Sequence, residues 1–408
     1  MNYINYGRQY IDSDDVDAVV EVLQSDMLTQ GPNDIRFESA MCDYVHADFA
    51  VAVNSGTSAL HIACLAAGIT KGDEVITTPI TFVASANCAV YCGAKPVFAD
   101  IDPKTYNILP AEIERLINRN TKAVIPVHFA GQSCNMKAIR EVVQSAEKKY
   151  NHKIVIIEDA SHALGSVYEN EKVGSCAFSD MAVMSFHPVK HITTGEGGMV
   201  FTNDQEIFRK LSRYRSHGIT SELDEFFSTD LAFRNSGGNS SEGREANPWY
   251  YEQQMLGYNY RMTNLQSALG LSQLKKLDSF CKRRREIVDK YNLVFENTSF
   301  IQIPFEEQKN QANFHLYVLL FDFSNIGIDR AQFINELRDK GFYTQVHYIP
   351  VHLQHFYRKN FGTDWGDCPN AEAYYDKCLS IPLYPAMTDT NIEDTIRAIK
   401  DMLIKKQC

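Results

Sequence analysis

Short apolar segments alternate with amphipathic segments along the chain from about residue 50 onward. Short apolar runs predict buried strands, and apolar positions three or four apart predict helices. The predicted strands cover residues 50–53, 74–77, 96–98, 123–127, 154–157, 181–186 and 199–202, and the predicted helices cover 58–68, 83–92, 110–118, 135–149 and 204–215. Strands and helices that take turns over this distance predict an α/β fold with a mainly parallel central sheet wrapped by helices.

The regions on either side of this alternation have their own patterns. Acidic residues followed by apolar residues at helical spacing predict an early helix at 12–23. A long helix is predicted at 264–294, and we expect it to cross to a second domain. Beyond it, predicted strands at 315–321 and 344–347 and predicted helices at 329–340 and 391–405 indicate a smaller C-terminal α+β domain.

Residues 220–247 interrupt the pattern with a polar segment rich in Gly, Ser and Asn, which predicts a flexible insertion. We therefore expect a large domain at 1–260, which includes an N-terminal arm and this insertion. The linking helix and the small C-terminal domain then occupy residues 261–408.

Composition and charge exclude several classes of protein. Of the 408 residues, 44% are hydrophobic and 22% charged, which argues against a largely disordered chain. The net charge of −11 argues against a nucleic-acid partner, and the basic run 282–285 is interpreted as a solvated helix face. The ten cysteines contain no C-x-x-C pair. No secretory leader or membrane-length apolar run is found, so we expect a cytoplasmic protein without a membrane partner.

The histidines and cysteines do not predict a metal site. His352 and His355, with Cys88 and Cys92, form two pairs that are far apart in sequence and have no further ligand cluster. His347, His352 and His355 lie in an aromatic-rich stretch, which favours the lining of a cleft or a core.

Two polar residues follow predicted strands in contexts that suggest chemistry. Lys190 lies in a short connection between two buried strands, where burial would lower the pKa of its amine and allow it to act as a nucleophile. Asp159 comes directly after an apolar run, at the carboxyl end of a strand, where open α/β sheets bind ligands. Taken alone, Asp159 is equally well explained as a cap of the next segment.

A third feature lies at residues 53–60, where a strand turns through Gly56 into a helix. Free N–H groups and hydroxyls at a helix N-terminus can bind a single phosphate, although small residues also serve ordinary turns. A phosphate cradle, an acid at a strand end and a sheltered lysine are the three parts that pyridoxal 5′-phosphate (PLP) requires. Together they predict a PLP-dependent enzyme.

With these motifs, the chain resembles the sugar-nucleotide aminotransferases of the DegT/DnrJ/EryC1/StrS family over nearly its whole length. The segments that carry the resemblance are 54–60, 158–163, 185–198 and 257–262. One branch of the family has His in place of the lysine and is a dehydratase, but here Lys190 keeps the five-residue offset from Ser185. The resemblance therefore implies the aspartate aminotransferase (type I) fold and transamination, with a catalytically inactive PLP-fold sensor as the alternative class.

The resemblance also implies roles for individual residues. Lys190 corresponds to the lysine that bonds to the cofactor, and Asp159 to the acid that pairs with the pyridine nitrogen. Asn259 would reach the phosphate site of the neighbouring subunit, which implies a homodimer with shared active sites. The implied cofactor-binding residues are Thr57, Ser58, Phe82, Asp159, His162, Ser185, Lys190 and Asn259.

Within the family, segments 159–166, 185–198 and 344–350 look most like those of the aminotransferase of the pseudaminic acid pathway. That likeness implies L-glutamate as amino donor and a UDP-linked 4-keto-6-deoxy-N-acetylhexosamine as acceptor. The implied substrate contacts are Tyr6, Leu28, Thr29, Ser185, Asn259, His315 and Tyr317. Related enzymes with an acceptor from perosamine, legionaminic acid or 4-amino-arabinose assembly are the alternatives.

Overall fold

A computed structural model of the chain describes residues 3–227, 229–233, 247–308 and 310–404. Half of the insertion predicted at 220–247, namely residues 228 and 234–246, therefore lies outside the described residues. The helices are α1 Ser13–Leu23, α2 Pro32–Val45, α3 Gly56–Ala66, α4 Ala84–Tyr91, α5 Pro110–Leu116, α6 Met136–Tyr150, α7 Gln205–Arg215, α8 Thr229–Ala232, α9 Asn264–Leu274, α10 Leu277–Phe295, α11 Phe323–Ile326, α12 Arg330–Asp339, α13 His355–Phe361, α14 Pro369–Lys377 and α15 Asp389–Ile404.

The strands form one large sheet and several smaller ones. They are β1 Phe49–Val53, β2 Glu74–Thr77, β3 Lys95–Phe98, β4 Thr121–Ile125, β5 Val155–Asp159, β6 Val167–Tyr168, β7 Glu171–Lys172, β8 Met181–Ser185, β9 Gly198–Thr202, β10 Ile219–Thr220, β11 Glu252–Gln253, β12 Ile301–Gln302, β13 Asn310–Gln311, β14 Tyr317–Phe321 and β15 Cys378–Ile381.

The large sheet has the strand order β1-β9-β8-β5-β4-β2-β3. The pairs from β8 through β3 are parallel, whereas β9 runs antiparallel to both β8 and β1. A mainly parallel central sheet, as predicted, is confirmed. Because β9 is antiparallel to both β1 and β8, β1 points the same way as β8, which is itself parallel to β5. The carboxyl ends of β1, β5 and β8 therefore lie at one edge.

Helices cover both faces of this sheet, as its strands require, because β5 is buried along its whole length. On one face, α3, α4 and α7 pack on the apolar side chains of β1, β5 and β8 in one core cluster. On the other face, α2 contributes Phe37, Met41 and Val45 to a second cluster with Phe186 and Phe201. The sheet edge that carries the strand ends is thereby held between two rigid layers.

A smaller antiparallel sheet, in the order β12-β14-β15, forms in the last third of the chain. Its apolar core is shared with α10, α12 and α15. A further apolar cluster joins the two sheets, because Phe98 and Phe129 pack with Val318 and Tyr374. The α+β character predicted for this part of the chain is observed, and the domain boundary at residues 260/261 stays a prediction.

The N-terminal arm connects the two sheets. Ile4 forms a parallel bridge with Phe342: its N–H donates to the carbonyl of Gly341 at 3.0 Å, and its carbonyl accepts from the N–H of Tyr343 at 2.9 Å. The carbonyl of Tyr6 accepts from the N–H of Leu383 at 3.0 Å. The following helix α1 begins with a capping box and packs against α9 beside the large sheet.

Two elements of the C-terminal half differ from the prediction. The single helix predicted at 264–294 is two helices, α9 and α10, because the chain turns at Lys276, whose amine pairs with Asp12 and Asp15. The strand predicted at 344–347 is also wrong, since only Gln345 pairs there, in a single bridge with Ser380.

The interpretation of the basic run 282–285 as a solvated face is wrong for one of its members. Arg284 is only 1% exposed. Its Nη1 donates to the backbone carbonyls of Phe314, His315 and Leu383 at 3.1–3.3 Å. This guanidinium is therefore a structural cross-link inside the C-terminal part of the chain.

Gly131 provides a test of the close packing behind the sheet edge. Its φ is +105°, and a Cβ there would lie 2.2 Å from the backbone oxygen of Asn313. Gly68 also has a positive φ, +72°, but a Cβ there would have no other atom within 4 Å, so it serves as a matched control. We expect Gly68→Ala to lower the free energy of unfolding by about 1 kcal/mol and Gly131→Ala by about 3 kcal/mol. Urea unfolding measures both, and equal losses would contradict the packing argument.

Candidate active site

A cavity of about 660 Å³ opens at the sheet edge where β1, β5 and β8 end. This volume lies within the range of small-molecule sites, roughly 300–1,000 Å³. Its walls come from the start of α3, the segment before α4, the strand ends and the segment 345–349. The lining residues that carry polar chemistry include Ser55, Thr57, Thr81, Ser85, Asp159, Ser161, His162, Ser185, Lys190, His315, His347 and Tyr348.

The N-terminus of α3 forms a cradle at one end of the cavity. Ser55 is the N-cap, and its Oγ accepts a hydrogen bond from the N–H of Ser58 at 3.1 Å. At Gly56 a Cβ would lie 2.9 Å from the Cβ of Ser185, so glycine is what allows the helix start to approach β8. The first N–H groups of a helix lack helical partners and attract anions.

The carboxylate of Asp159 lies on the cavity wall with both oxygens hydrogen-bonded. Ser85 Oγ donates to Oδ2 at 2.6 Å, and Ser161 donates to Oδ1 from its Oγ at 2.6 Å and from its N–H at 3.2 Å. Asp159 is buried, and these hydrogen bonds fix the orientation of its carboxylate. Such a fixed anion can hold a proton on a ligand nitrogen.

Lys190 reaches the same cavity from the connection between β8 and β9. Burial lowers the pKa of its amine to about 8; the carboxylate of Asp159 opposes this shift, and the guanidinium of Arg284 adds to it. Its Nζ lies 3.5 Å from Nε2 of His315. A lysine whose pKa lies this close to neutrality can act both as a nucleophile and as a carrier of protons.

Neutral histidines surround this lysine. Burial holds the pKa of His162 and of His315 well below the usual range and lowers that of His347 to about 3. The rings of His162 and His315 lie 4.4 Å apart, and Nε2 of His162 lies 3.2 Å from the hydroxyl of Tyr348. Nδ1 of His162 is buried and has no hydrogen-bond partner within the described part of the chain, so it is available to a ligand.

The structure brings eight of the predicted site residues to this cavity, namely Tyr6, Thr57, Phe82, Asp159, His162, Ser185, Lys190 and His315. Ser58 does not line it, and its Oγ donates to Oδ1 of Asn54 at 2.7 Å. Tyr317 does not line it either: it is fully buried in β14, and its hydroxyl donates to Asn292 at 2.7 Å. A substrate contact of Tyr317 is not supported by this position.

Three further predicted residues lie on the surface of the chain away from the cavity walls. Asn259 is exposed and forms a bridge with Ser216. Leu28 and Thr29 are exposed, and Thr29 forms a bridge with Thr263. None of the three lines the cavity within this chain.

Several cavity residues had no predicted role. Ser55 could have been found, since a serine before a glycine and a helix is a typical N-cap. His347 and Tyr348 lie in the aromatic-rich stretch that the sequence placed in a cleft or core, and both line the cavity. Ser85 has no local signal, because its partner Asp159 lies 74 residues away in sequence.

Comparison with known proteins assigns a family to this arrangement. Residues 9–400 match the model of the DegT/DnrJ/EryC1/StrS aminotransferase family. The chain belongs to this family. It is 41% identical over 403 residues to the spore coat polysaccharide biosynthesis protein SpsC of Bacillus subtilis, and the match covers 98% of this chain and 97% of SpsC.

Solved structures of other aminotransferases agree with this fold. Helicobacter pylori PseC, an aminotransferase involved in the biosynthesis of pseudaminic acid, superposes with a TM-score of 0.86 at 32% identity, over 99% of this chain and 100% of PseC. The PLP form of a putative sugar aminotransferase from Streptococcus pneumoniae superposes with a TM-score of 0.86 at 28% identity, over 99% of each chain. The protein is therefore a PLP-dependent sugar aminotransferase with the predicted type I fold.

The residues of the cavity fit PLP. The start of α3 lies close to Ser185, which the glycine at position 56 permits, and its first N–H groups suit a phosphate. The fixed carboxylate of Asp159 suits a protonated ring nitrogen. The unpartnered Nδ1 of His162 suits a polar ring substituent, and Lys190 presents an amine to the same space.

A search of the helices in the described part of the chain finds no segment with the length and hydropathy of a membrane span.

The pKa of Lys190 can be tested by its reaction with PLP in cofactor-free protein. Because the free amine is the nucleophile, we expect the rate of covalent attachment to rise about tenfold per pH unit up to the pKa of about 8 and to level off above it. Stopped-flow absorbance at constant ionic strength measures the rate. A rate that keeps rising to about pH 10, as for a solvated lysine, would contradict the assignment.

Proposed function

We propose that the protein transfers an amino group from L-glutamate to C4 of UDP-2-acetamido-2,6-dideoxy-β-L-arabino-hex-4-ulose. The product is UDP-4-amino-4,6-dideoxy-N-acetyl-β-L-altrosamine, in pseudaminic acid biosynthesis. The observation that carries this proposal is the likeness to PseC over the whole chain, together with a cavity that holds Lys190 and Asp159. The motifs at 159–166, 185–198 and 344–350 support the same acceptor.

In this proposal Lys190 and Asp159 have separate tasks. When bound, PLP supplies a carbon that takes up the amino group and a ring that takes up the electron pair released at Cα of glutamate. Lys190 Nζ removes the proton from Cα in the first half-reaction and delivers a proton to C4 of the sugar in the second. Asp159 holds a proton on the pyridine nitrogen, and Ser85 and Ser161 keep its carboxylate oriented.

The charges on the cavity wall favour a site shared between two copies of the chain. Glutamate carries two carboxylates and the sugar nucleotide a diphosphate, yet among the described lining residues Lys190 alone is a lysine or an arginine. Anionic substrates require further donors. We propose that a second copy supplies them in a homodimer, with Asn259 among its contributions and Leu28 and Thr29 at the same boundary.

A second acceptor is favoured by one comparison. The identity to SpsC, at 41%, exceeds the 32% identity to PseC. SpsC is named for spore coat polysaccharide biosynthesis, so its likeness favours another keto sugar of polysaccharide assembly. The transamination chemistry is the same for both acceptors, and only the sugar differs.

The acceptor is tested by titration of the PLP-loaded protein. We expect glutamate to convert the absorbance to that of pyridoxamine phosphate, and the L-arabino keto sugar to restore it. Restoration by a D-xylo keto sugar alone would retain transamination and reject the pseudaminic acid pathway. If glutamate leaves the spectrum unchanged, the donor assignment fails.

The shared site is tested by mixing two inactive variants. Lys190→Ala is expected to retain bound pyridoxamine phosphate without turnover, and Asn259→Asp to lose activity through repulsion of the partner's phosphate. A mixed dimer has one intact site, so random exchange of subunits should restore about a quarter of wild-type activity. Steady-state rates after co-refolding measure this, with each variant refolded alone as control. No recovery in verified mixed dimers would contradict a shared site.

A further inference from the structure

The amine of Lys190 has a hydrogen-bond partner in the segment just before β14. Its Nζ lies 3.5 Å from Nε2 of His315, and no other hydrogen bond of this Nζ occurs among the residues the structure describes. Asp159 attracts the ammonium through space without a hydrogen bond to it. The imidazole of His315 is therefore the hydrogen-bond partner of this amine in the described part of the chain.

His315 is held in place from three directions. Its N–H donates to the carbonyl of Ala130 at 2.9 Å, and its own carbonyl accepts from Arg284 at 3.3 Å. Its ring lies 4.4 Å from that of His162 and 5.6 Å from that of His191. The backbone hydrogen bonds hold the residue in place, and its ring packs between those of His162 and His191.

The surroundings also keep His315 uncharged. Its side chain is buried, and burial is the main reason why its pKa lies well below the usual range. The positive charges of Lys190 and Arg284 act in the same direction. A neutral imidazole retains a lone pair on one nitrogen, so it can accept a hydrogen bond from an ammonium group.

We infer that His315 is a positioning residue that accepts a hydrogen bond from Lys190 Nζ and holds this nitrogen at the cavity wall while it takes up and releases protons. This inference rests on the proposed function of Lys190. It gives His315 a role distinct from a substrate contact, because the imidazole acts through the lysine. His162 differs in its contacts, because its Nε2 lies 3.2 Å from the hydroxyl of Tyr348 and no hydrogen bond joins it to Lys190 among the described residues.

The first experiment uses cofactor-free protein and does not depend on turnover. Competitive acylation with acetic anhydride, followed by peptide mass spectrometry, gives the pH profile of Lys190. The groups that face this amine and titrate or carry charge are Asp159, His162, His187, His191, Arg284, His315 and His347. The variants change His315 alone among these groups, so a shift of the Lys190 profile reports on the contact between His315 and Lys190.

Two substitutions at one position separate the hydrogen bond from packing. His315→Leu removes the acceptor, which should move the Lys190 profile down by about one pH unit, because the ammonium loses its partner. His315→Gln keeps an acceptor oxygen, so its profile should lie no more than about half a pH unit below that of the wild-type protein. His152→Leu is the control for loss of a histidine, because the ring of His152 contacts the carbonyl of Thr121 and not Lys190. An unchanged or upward profile in a folded His315→Leu protein would overturn the inference.

Steady-state kinetics of the loaded enzyme distinguish positioning from substrate binding. We expect His315→Leu to lower kcat about tenfold or more with little change in KM for either substrate, and His315→Gln to recover most of kcat. A rise in KM with unchanged kcat would identify a substrate contact and overturn the positioning role. If no acceptor supports turnover, the proposed function fails while the acylation profile still tests the contact.

Discussion

The reversed strand β9 is the constraint on which the site depends. Because it runs antiparallel to both β1 and β8, β1 points the same way as β8. Since β8 pairs in parallel with β5, three chain segments end at one edge. The first continues into the N-terminus of α3, the second ends in Asp159 and the third leads through Ser185 to Lys190. An anion cradle, an acid and an amine therefore meet because of strand direction, before any side-chain packing is considered.

The second constraint is electrostatic. Arg284 is a buried cation whose hydrogen bonds go to backbone carbonyls, and no carboxylate occurs among its hydrogen-bond partners in the described part of the chain. Burial lowers its own pKa to about 10. Its charge acts on the pKa values of His191, His315 and Lys190, in each case against protonation. The structure thus keeps several basic groups near one carboxylate without allowing all of them to be charged.

The fold and the central chemistry could be predicted because both depend on local patterns. Apolar runs and helical spacing are short-range signals, and Asp159 follows such a run directly. The turn at Lys276 could not be predicted from the segment around it, since no Gly or Pro marks the turn and its ion partners Asp12 and Asp15 lie more than 250 residues away. The burial of Arg284 could not be predicted, because the sequence of a helix does not show whether a basic side chain faces water or backbone carbonyl groups.

The N-terminal arm has a consequence for the order in which the chain acquires its structure. Residues 4–6 leave the ribosome long before their backbone partners Gly341, Tyr343 and Leu383. The arm must therefore wait until most of the chain has been synthesised, and closing so long a loop is slow relative to local folding. Tyr6, which lines the cavity, is thus synthesised early but takes up its position late. The wall of the active site is completed only after residues 341–383 have been synthesised and have paired with the arm.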